Sequence, residues 1–205
     1  MPRVYSIDGI TPVVHPSAFV HPSAVLVGDV IVGERAYIGP CACLRGDFGR
    51  IVVEEGANIQ DTCMLHGFPW KDTVVGAGAT VGHGAVLHGC VVRRGALIGM
   101  NCVVNDNAEV GEDAIVAALA FVKAEARIPV RSLAAGIPAR VLRPLTEEEL
   151  GWKRDNMHLY QKLAVRSLRT MKEVEALTAI DPDRKRIDIP GAVPLSELKK
   201  KQALT

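Results

Sequence analysis

The feature that most constrains this chain is a step of six residues. A small residue, usually alanine, stands two positions before a branched apolar one at Ala18/Val20, Ala24/Leu26, Val30/Val32, Ala36/Ile38 and Ala42/Leu44. The pairing resumes as Ala57/Ile59, Cys63/Leu65, Thr73/Val75, Ala79/Val81 and Ala85/Leu87. After a five-residue step to Val92 it continues from Ala96/Ile98 through Cys102/Val104 to Ala126/Ile128. Neither a helix nor a meander holds such a period, whereas a coil of short parallel strands does. Glycine often follows the branched residue, as at Gly33, Gly39, Gly76, Gly82, Gly99 and Gly111. The chain is 48% hydrophobic but only 4% aromatic, which suits a narrow core filled by Val, Ile, Leu and Ala.

Two stretches break the period. ArgGlyAspPheGlyArg at 45–50 lengthens the step from Leu44 to Val53, and HisGlyPheProTrpLysAsp at 66–72 lengthens that from Leu65 to Val75. Insertions in a solenoid are expected to leave it as surface loops, where sites are often built. Tyr5 and Ile7 suit a first strand capping the open end. AlaGlyIleProAla (135–139) follows the last regular step and closes the coil. Thr146 followed by Glu149 is a capping-box pattern, and Leu150, Met157, Tyr160/Gln161, Ala164, Leu168 and Met171 keep a helical spacing. The expected organisation is a coil over 1–145, an amphipathic helix from 146 to about 177 within a 146–180 segment packed on it, and a charged, extended tail over 181–205.

Composition narrows the partners. A net charge of +1 gives no reason to expect nucleic acid or an anionic membrane, and no apolar run reaches the roughly 18 residues of a membrane span. The start shows no basic stretch followed by an apolar one, so no secretory signal is read there. Five cysteines, Cys41, Cys43, Cys63, Cys90 and Cys102, are an odd number and point to reduced thiols in the cytoplasm. Most are read as small core or corner residues; a Cys41-x-Cys43 metal clip is the other reading. His15 and His21, each in HisProSerAla, are read as corner residues.

His66, His83 and His88 carry the chemistry. Three histidines are the usual protein ligand set of an open zinc site. If three sides make one coil, Leu44, Leu65, Leu87 and Val104 share a face, and Arg45, His66, His88 and Asn105 form an outward column. Neighbouring coils lie about 4.7–4.9 Å apart, which lets His66 and His88 grip one ion. His83 follows Val81 by two and falls on another side, on the order of 10 Å from the pair. One subunit does not easily close the site alone, and a neighbouring copy around a three-fold axis can present its His83, which predicts a homotrimer. Asp61 has the same offset from Ile59 and can accept a hydrogen bond from the second N–H of the His83 ring. Gln60 is expected to face outward near this interface. Asn58, Arg45 and Asp47 are further polar candidates, the last two also as an Arg–Asp pair across the subunit contact.

Across nearly its whole length the chain resembles the hexapeptide-repeat proteins, and within them the γ-class carbonic anhydrase-like branch. ArgGlyAsp (45–47), AsnIleGlnAsp (58–61), His66, GlyHis (82–83) and HisGlyCys (88–90) carry the likeness. The resemblance implies a mainly β fold, a left-handed parallel β-helix with a C-terminal α-helix. It also implies zinc, replaceable by iron or cobalt, on His66, His88 and a neighbour's His83. Gln60 would hold a water at the metal, and Arg45, Asp47 and Asp61 would form an intersubunit network.

The loops at 45–51 and 66–76, HisGlyCysValValArgArg (88–94) and the TrpLys…TyrGln helix (152–161) most resemble acyl-CoA thioesterases of phenylacetate degradation. Carnitine-operon proteins are nearly as similar. The proton-shuttling acids of the founding carbonic anhydrase have no counterpart, since Phe48 follows Asp47 and the loop after His66 offers only Asp72. The first expectation is therefore zinc-dependent hydrolysis of an acyl-CoA thioester. Tyr160 is a donor or shuttle on the helix, or a packing residue. Arg93 and Arg94 are read as a solvated edge or as contacts for CoA phosphates. The alternatives are CO2 hydration, a non-catalytic carnitine-metabolism accessory trimer stapled by zinc, and an acyltransferase.

Overall fold

The computed structural model describes residues 2–190, 192 and 197. The chain coils as a left-handed parallel β-helix whose three sides are stacks of short strands. Side one stacks Arg3–Tyr5 on Val25–Val32, then Cys43–Val53, Met64–His66, Val86–His88, Val103–Val104 and Phe121–Val122. The two long strands bend past a corner and also head side two, which includes Val13–Val14, Thr73–Val75, Val91–Val92, Glu109–Val110 and Arg127–Ile128. Side three runs from Phe19–Val20 through Tyr37–Ile38, Asn58–Ile59, Thr80–Val81, Leu97–Ile98 and Ile115–Val116 to Ser132–Gly136.

The six-residue period dictates this arrangement. Ala24, Leu26, Ala36, Ile38, Ala42, Leu44, Ala57, Ile59, Cys63, Leu65, Ala85 and Leu87 are all buried in one continuous core. The branched residue fills the side and the small one the corner, where a larger side chain would not fit the triangular section. Each fully buried Leu or Ile contributes about 1.5–3 kcal/mol. The Tyr5 strand forms as expected and covers the first coil. His15 and His21 are corner residues, each with Nδ1 2.8 Å from the serine hydroxyl two positions on.

The coil extends past Ile128. Leu133 and Ala134 pair in parallel with Ile115 and Val116, and the chain then reverses through a cis Ile137–Pro138 bond into an antiparallel strand, Ala139–Pro144. The first interruption is not a loop. Residues 45–50 continue the strand Cys43–Val53, and a register shift opposite Gly28 and Val30 absorbs the extra length. The second interruption does leave the sheet.

The C-terminal helix spans Glu147–Thr170, capped by Thr146, whose hydroxyl accepts from the Glu149 amide while the Glu149 side chain accepts from Thr146 N–H. Glu149 also pairs with Arg143 through two 2.8 Å bonds. Gln161, Met157 and Lys153 lie over Gly56, Gly78 and Gly95 of successive coils. Four helical residues rise about 6 Å and one coil about 4.8 Å, so an inclined helix meets one coil per turn. At Gly78, whose φ is +63°, a Cβ would fall 2.4 Å from Met157 Sδ, so a larger residue there would be strained and would displace the Met157 side chain. Lys153, buried, donates to the Gly95 carbonyl and to Asp113.

The expected extension of the helix to about 177 does not occur. Ala164 packs on Phe19 and Tyr37 at the first coils, and Ser167 is the last residue that the helix buries. Leu168 and Met171 are consequently about half exposed. Residues 171–190 form no helix or strand and are exposed; of the expectation for the tail, 191, 193–196 and 198–205 lie outside the described residues. Among the described residues no helix is long and apolar enough to cross a membrane.

Candidate metal centre

The structure sorts the candidate residues into two clusters on different sides of the coil. The first stands at the end of side one. His66 and His88 are register partners on adjacent strands, their ring centroids 5.2 Å apart, with His66 Nδ1 3.1 Å from His88 Nε2. The outer nitrogen of each ring rests on a carboxylate. His66 Nε2 lies 3.1 Å from Asp47 Oδ1, and His88 Nδ1 lies 2.5 Å from Asp106 Oδ1. Arg45 Nη1 donates to both Asp47 oxygens, at 2.9 and 2.7 Å, within one protomer. Burial opposes the Asp47 carboxylate, but the hydrogen bonds and charge of Arg45 outweigh it and hold its pKa below the usual value. Burial, followed by the charge of Arg45, lowers the pKa of His66.

This arrangement fits a metal ion. If both rings donate their outer N–H groups to Asp47 and Asp106, two lone pairs face each other at 3.1 Å and suit a cation between them; in another tautomer the same distance is a hydrogen bond from one ring to the other. Two imidazoles on one tetrahedral zinc, with bonds of about 2.0–2.1 Å, hold their nitrogens roughly 3.3 Å apart. A carboxylate behind a metal-ligating histidine fixes its tautomer and raises its basicity. The two facing nitrogens could supply two of the ligands of a four-coordinate ion.

The second cluster lies along side three and the corner leading to side one. His83 occupies that corner, its Nδ1 3.1 Å from Asp61 Oδ2 of the coil below. The distance is that of an ion pair, but the angle is not that of a hydrogen bond, so Nδ1 is a buried atom with no hydrogen-bond partner. The His83 side chain as a whole is 45% exposed, and among the described residues no three of His, Cys, Asp and Glu converge as a metal site. Cys41, at an exposed corner, and Cys43, on the strand beside it, recruit no further ligand, while Cys63, Cys90 and Cys102 are buried in the coil.

Gln60 differs from its expectation. Its side chain is only 6% exposed and donates to Asn58 Oδ1, while Asn58 donates to Thr80. The outward residues of this side are covered because the helix packs on the Tyr37 and Asn58 strands. Tyr160 packs against Tyr37, centroids 5.6 Å apart. Burial, then the neighbouring Tyr37 and Asp61, pushes its phenol up to about 12, so it is a donor and not a base near neutrality. Arg93 and Arg94 pair with Glu109 and Glu112 on side two, away from the histidines.

Two residues of the first cluster escaped the sequence reading. Asp106, not Asn105, meets His88; it lies 18 residues on, the length of one coil, so its signal was available. Thr73 is buried, donates to the His66 carbonyl at 2.7 Å and accepts from Gly89 N–H at 3.1 Å, tying together the backbones beside both histidines. Its only sequence signal was a hydroxyl where the repeat usually places alanine.

The chain matches the family "Bacterial transferase hexapeptide (six repeats)" over residues 11–46. It is 54% identical over 183 residues to the carnitine operon protein CaiE of Salmonella newport, covering 89% of this chain and 92% of that protein; CaiE of Salmonella enteritidis matches equally. Among solved structures, a presumed acetyltransferase of Bacillus cereus superposes with a TM-score of 0.80 at 34% identity, covering 82% of this chain and 99% of that one. A hexapeptide transferase family protein of Anaplasma phagocytophilum does so with a TM-score of 0.76 at 35% identity, covering 79% and 96%. This chain therefore belongs to the bacterial hexapeptide-repeat transferase family, among the relatives of the carnitine operon protein CaiE.

Proposed function

We propose that the protein is a homotrimeric, metal-dependent accessory enzyme of the carnitine-operon type that hydrolyses an acyl-CoA thioester at its subunit interfaces. The supporting observation is the His66–His88 pair, with facing nitrogens 3.1 Å apart and a carboxylate behind each ring. His83 completes the ligand set from the neighbouring copy, because on its own protomer it stands at a different corner. Zinc, or iron or cobalt on the same imidazoles, supplies Lewis acidity and an activated water.

The chain's own residues do the rest. Asp47 and Asp106 hold the ligand rings, Arg45 holds Asp47, and Asp61 steadies His83. Gln60, covered by the helix with its Nε2 engaged by Asn58, would reach a water at the metal only if a neighbouring copy brought the two clusters together. A C–O bond forms at the thioester carbonyl, the C–S bond breaks, and CoA leaves as the thiolate. The relatives' names favour a carnitine context over the phenylacetate context that the loop motifs suggested.

A second reading is acyl transfer, favoured by the family description and by the presumed acetyltransferase of similar fold. It uses the same thioester with an acceptor other than water. The test is a panel of acyl-CoA thioesters on zinc-loaded protein, read as free thiol with and without amine and alcohol acceptors, beside a stopped-flow CO2 assay. Metal-dependent thiol release without an acceptor is expected. Release only with an acceptor indicates transfer, CO2 hydration alone a carbonic anhydrase, and silence in every assay a structural metal.

A further inference from the structure

The histidine pair stands where its ladder ends. His66 and His88 are the last residues of their strands, Met64–His66 and Val86–His88. The two chains then part, one into the excursion that returns at Thr73 and the other into a corner. The last bond of the ladder runs from the Gly89 amide to the His66 carbonyl at 3.1 Å, and Thr73 closes over it. Its hydroxyl donates to the same His66 carbonyl at 2.7 Å and accepts from the same Gly89 amide at 3.1 Å. The carbonyl of one histidine and the amide that follows the other are thus held in one closed set of hydrogen bonds.

The repeat needs no hydroxyl at this position. Thr73 stands two residues before Val75, where the following steps place Ala79, Ala85 and Cys90, and it is completely buried. A buried hydroxyl costs free energy unless its hydrogen-bonding capacity is used, and here donor and acceptor are both spent on the backbones beside the two histidines. The hydroxyl is closely confined, since a Cβ on Gly67 would fall 2.8 Å from Thr73 Oγ1. Thr73 is itself placed by its pairing with Ile51 on the strand Cys43–Val53. That strand also carries Asp47, whose carboxylate lies 3.1 Å from His66 Nε2. One strand therefore fixes both the ring of His66 and the spacing of its backbone from that of His88.

We propose that Thr73 is a positioning residue for the metal centre: its hydroxyl sets the separation of the His66 and His88 backbones and so presents the two facing nitrogens already spaced for one ion. The inference rests on the reading of the pair as metal ligands and adds the residue that spaces them. Thr73 does not touch the ion; it acts through the end of the ladder. Without the hydroxyl, the His66 carbonyl and the Gly89 amide keep only each other, and the excursion that begins after His66 is no longer tied at its base. Ligands that must be gathered bind an ion less tightly than ligands held in place by their neighbours.

The test is zinc affinity, read by competition with a chromogenic chelator on the wild type and on Thr73→Val, Thr73→Ser and Ser132→Ala proteins of matched oligomeric state. Denaturation midpoints are measured on the same proteins without metal. Thr73→Val keeps the volume and removes the hydroxyl, and should bind zinc about 10- to 100-fold more weakly than the wild type. Thr73→Ser keeps the hydroxyl and should recover most of that affinity. Ser132→Ala removes another buried hydroxyl, one that donates to the Pro129 carbonyl at the last coil; it should lower the midpoint and leave zinc affinity unchanged. Where Thr73→Val does not fold, Thr73→Ala takes its place, since the repeat carries alanine at the equivalent positions. Wild-type affinity in Thr73→Val, a Thr73→Ser protein as weak as Thr73→Val, or an equal loss of zinc affinity in Ser132→Ala each overturns the assignment while leaving the metal reading intact. A wild type that binds no zinc defeats the metal reading itself, and the assignment with it.

Discussion

At the scale of single residues, the site is built from pairs whose partners are one coil apart. His88 and Asp106 are separated by 18 residues, His83 and Asp61 by 22, and one coil of the β-helix brings each pair together. Asp106→Asn keeps the shape of the side chain and removes the charge behind His88. It is expected to weaken zinc binding about 10- to 100-fold, measured by competition with a chromogenic chelator, while the unfolding midpoint of the metal-free protein moves little. Tyr160 offers a second check. Its phenol is pushed up to about 12, against about 10 in an unfolded chain. Between those values the folded state binds the extra proton, so stability falls as pH rises. Denaturant titrations from pH 9 to 12 should show this loss, and Tyr160→Phe should make it shallower.

Read at this scale, the three histidines were legible because their offsets from Leu65, Val81 and Leu87 follow directly from the repeat. Gln60 was misplaced for the complementary reason. Its offset put it on the outside of the coil correctly, but the repeat carries no information about what the helix later covers.

At the scale of elements, the two breaks in the period behave differently. The stretch at 45–50 stays in the sheet as part of an 11-residue strand, whereas 66–72 leaves it and returns at Thr73. They meet where Gly49 touches the Phe68 and Lys71 carbonyls. Gly49→Ala should therefore push the excursion outward, at a cost of about 1–3 kcal/mol, read as a lowered midpoint in chemical denaturation with unchanged far-ultraviolet circular dichroism. The C-terminal helix shows the same division between local and distant causes. Thr146 and Glu149 fix its start through a local capping box, and the sequence pattern found that start. Its end at Thr170 falls within a turn of Ser167, the last residue it buries.

For the whole molecule, the decisive question is how the two half-sites meet. One protomer presents His66 and His88 on one side and His83 at another corner, so each proposed centre needs two chains. Neither His83→Ala nor His88→Ala alone should bind stoichiometric zinc. Mixed and refolded together, they should recover about one quarter of the sites, because in random trimers that share of interfaces joins an intact pair to an intact His83. Zinc content per trimer measures the outcome. Failure to recover any site, with trimers formed, would count against sharing.

The sequence by itself determined the six-residue step of the coil and, once three sides per turn are taken from the family resemblance, the stacking of His66 on His88 and the separation of His83 from them. A strict period converts residue number into position, so that information is local and repeated. Only the tertiary structure decided that Gln60 and Asn58 are covered, that Thr73 ties the two histidine backbones, and that Phe48 and Phe68 stand beside the pair. Each of these depends on a helix or a non-periodic stretch folding back onto coils distant in sequence. There the outcome is set by which surfaces remain to be filled, and no spacing within the chain records it.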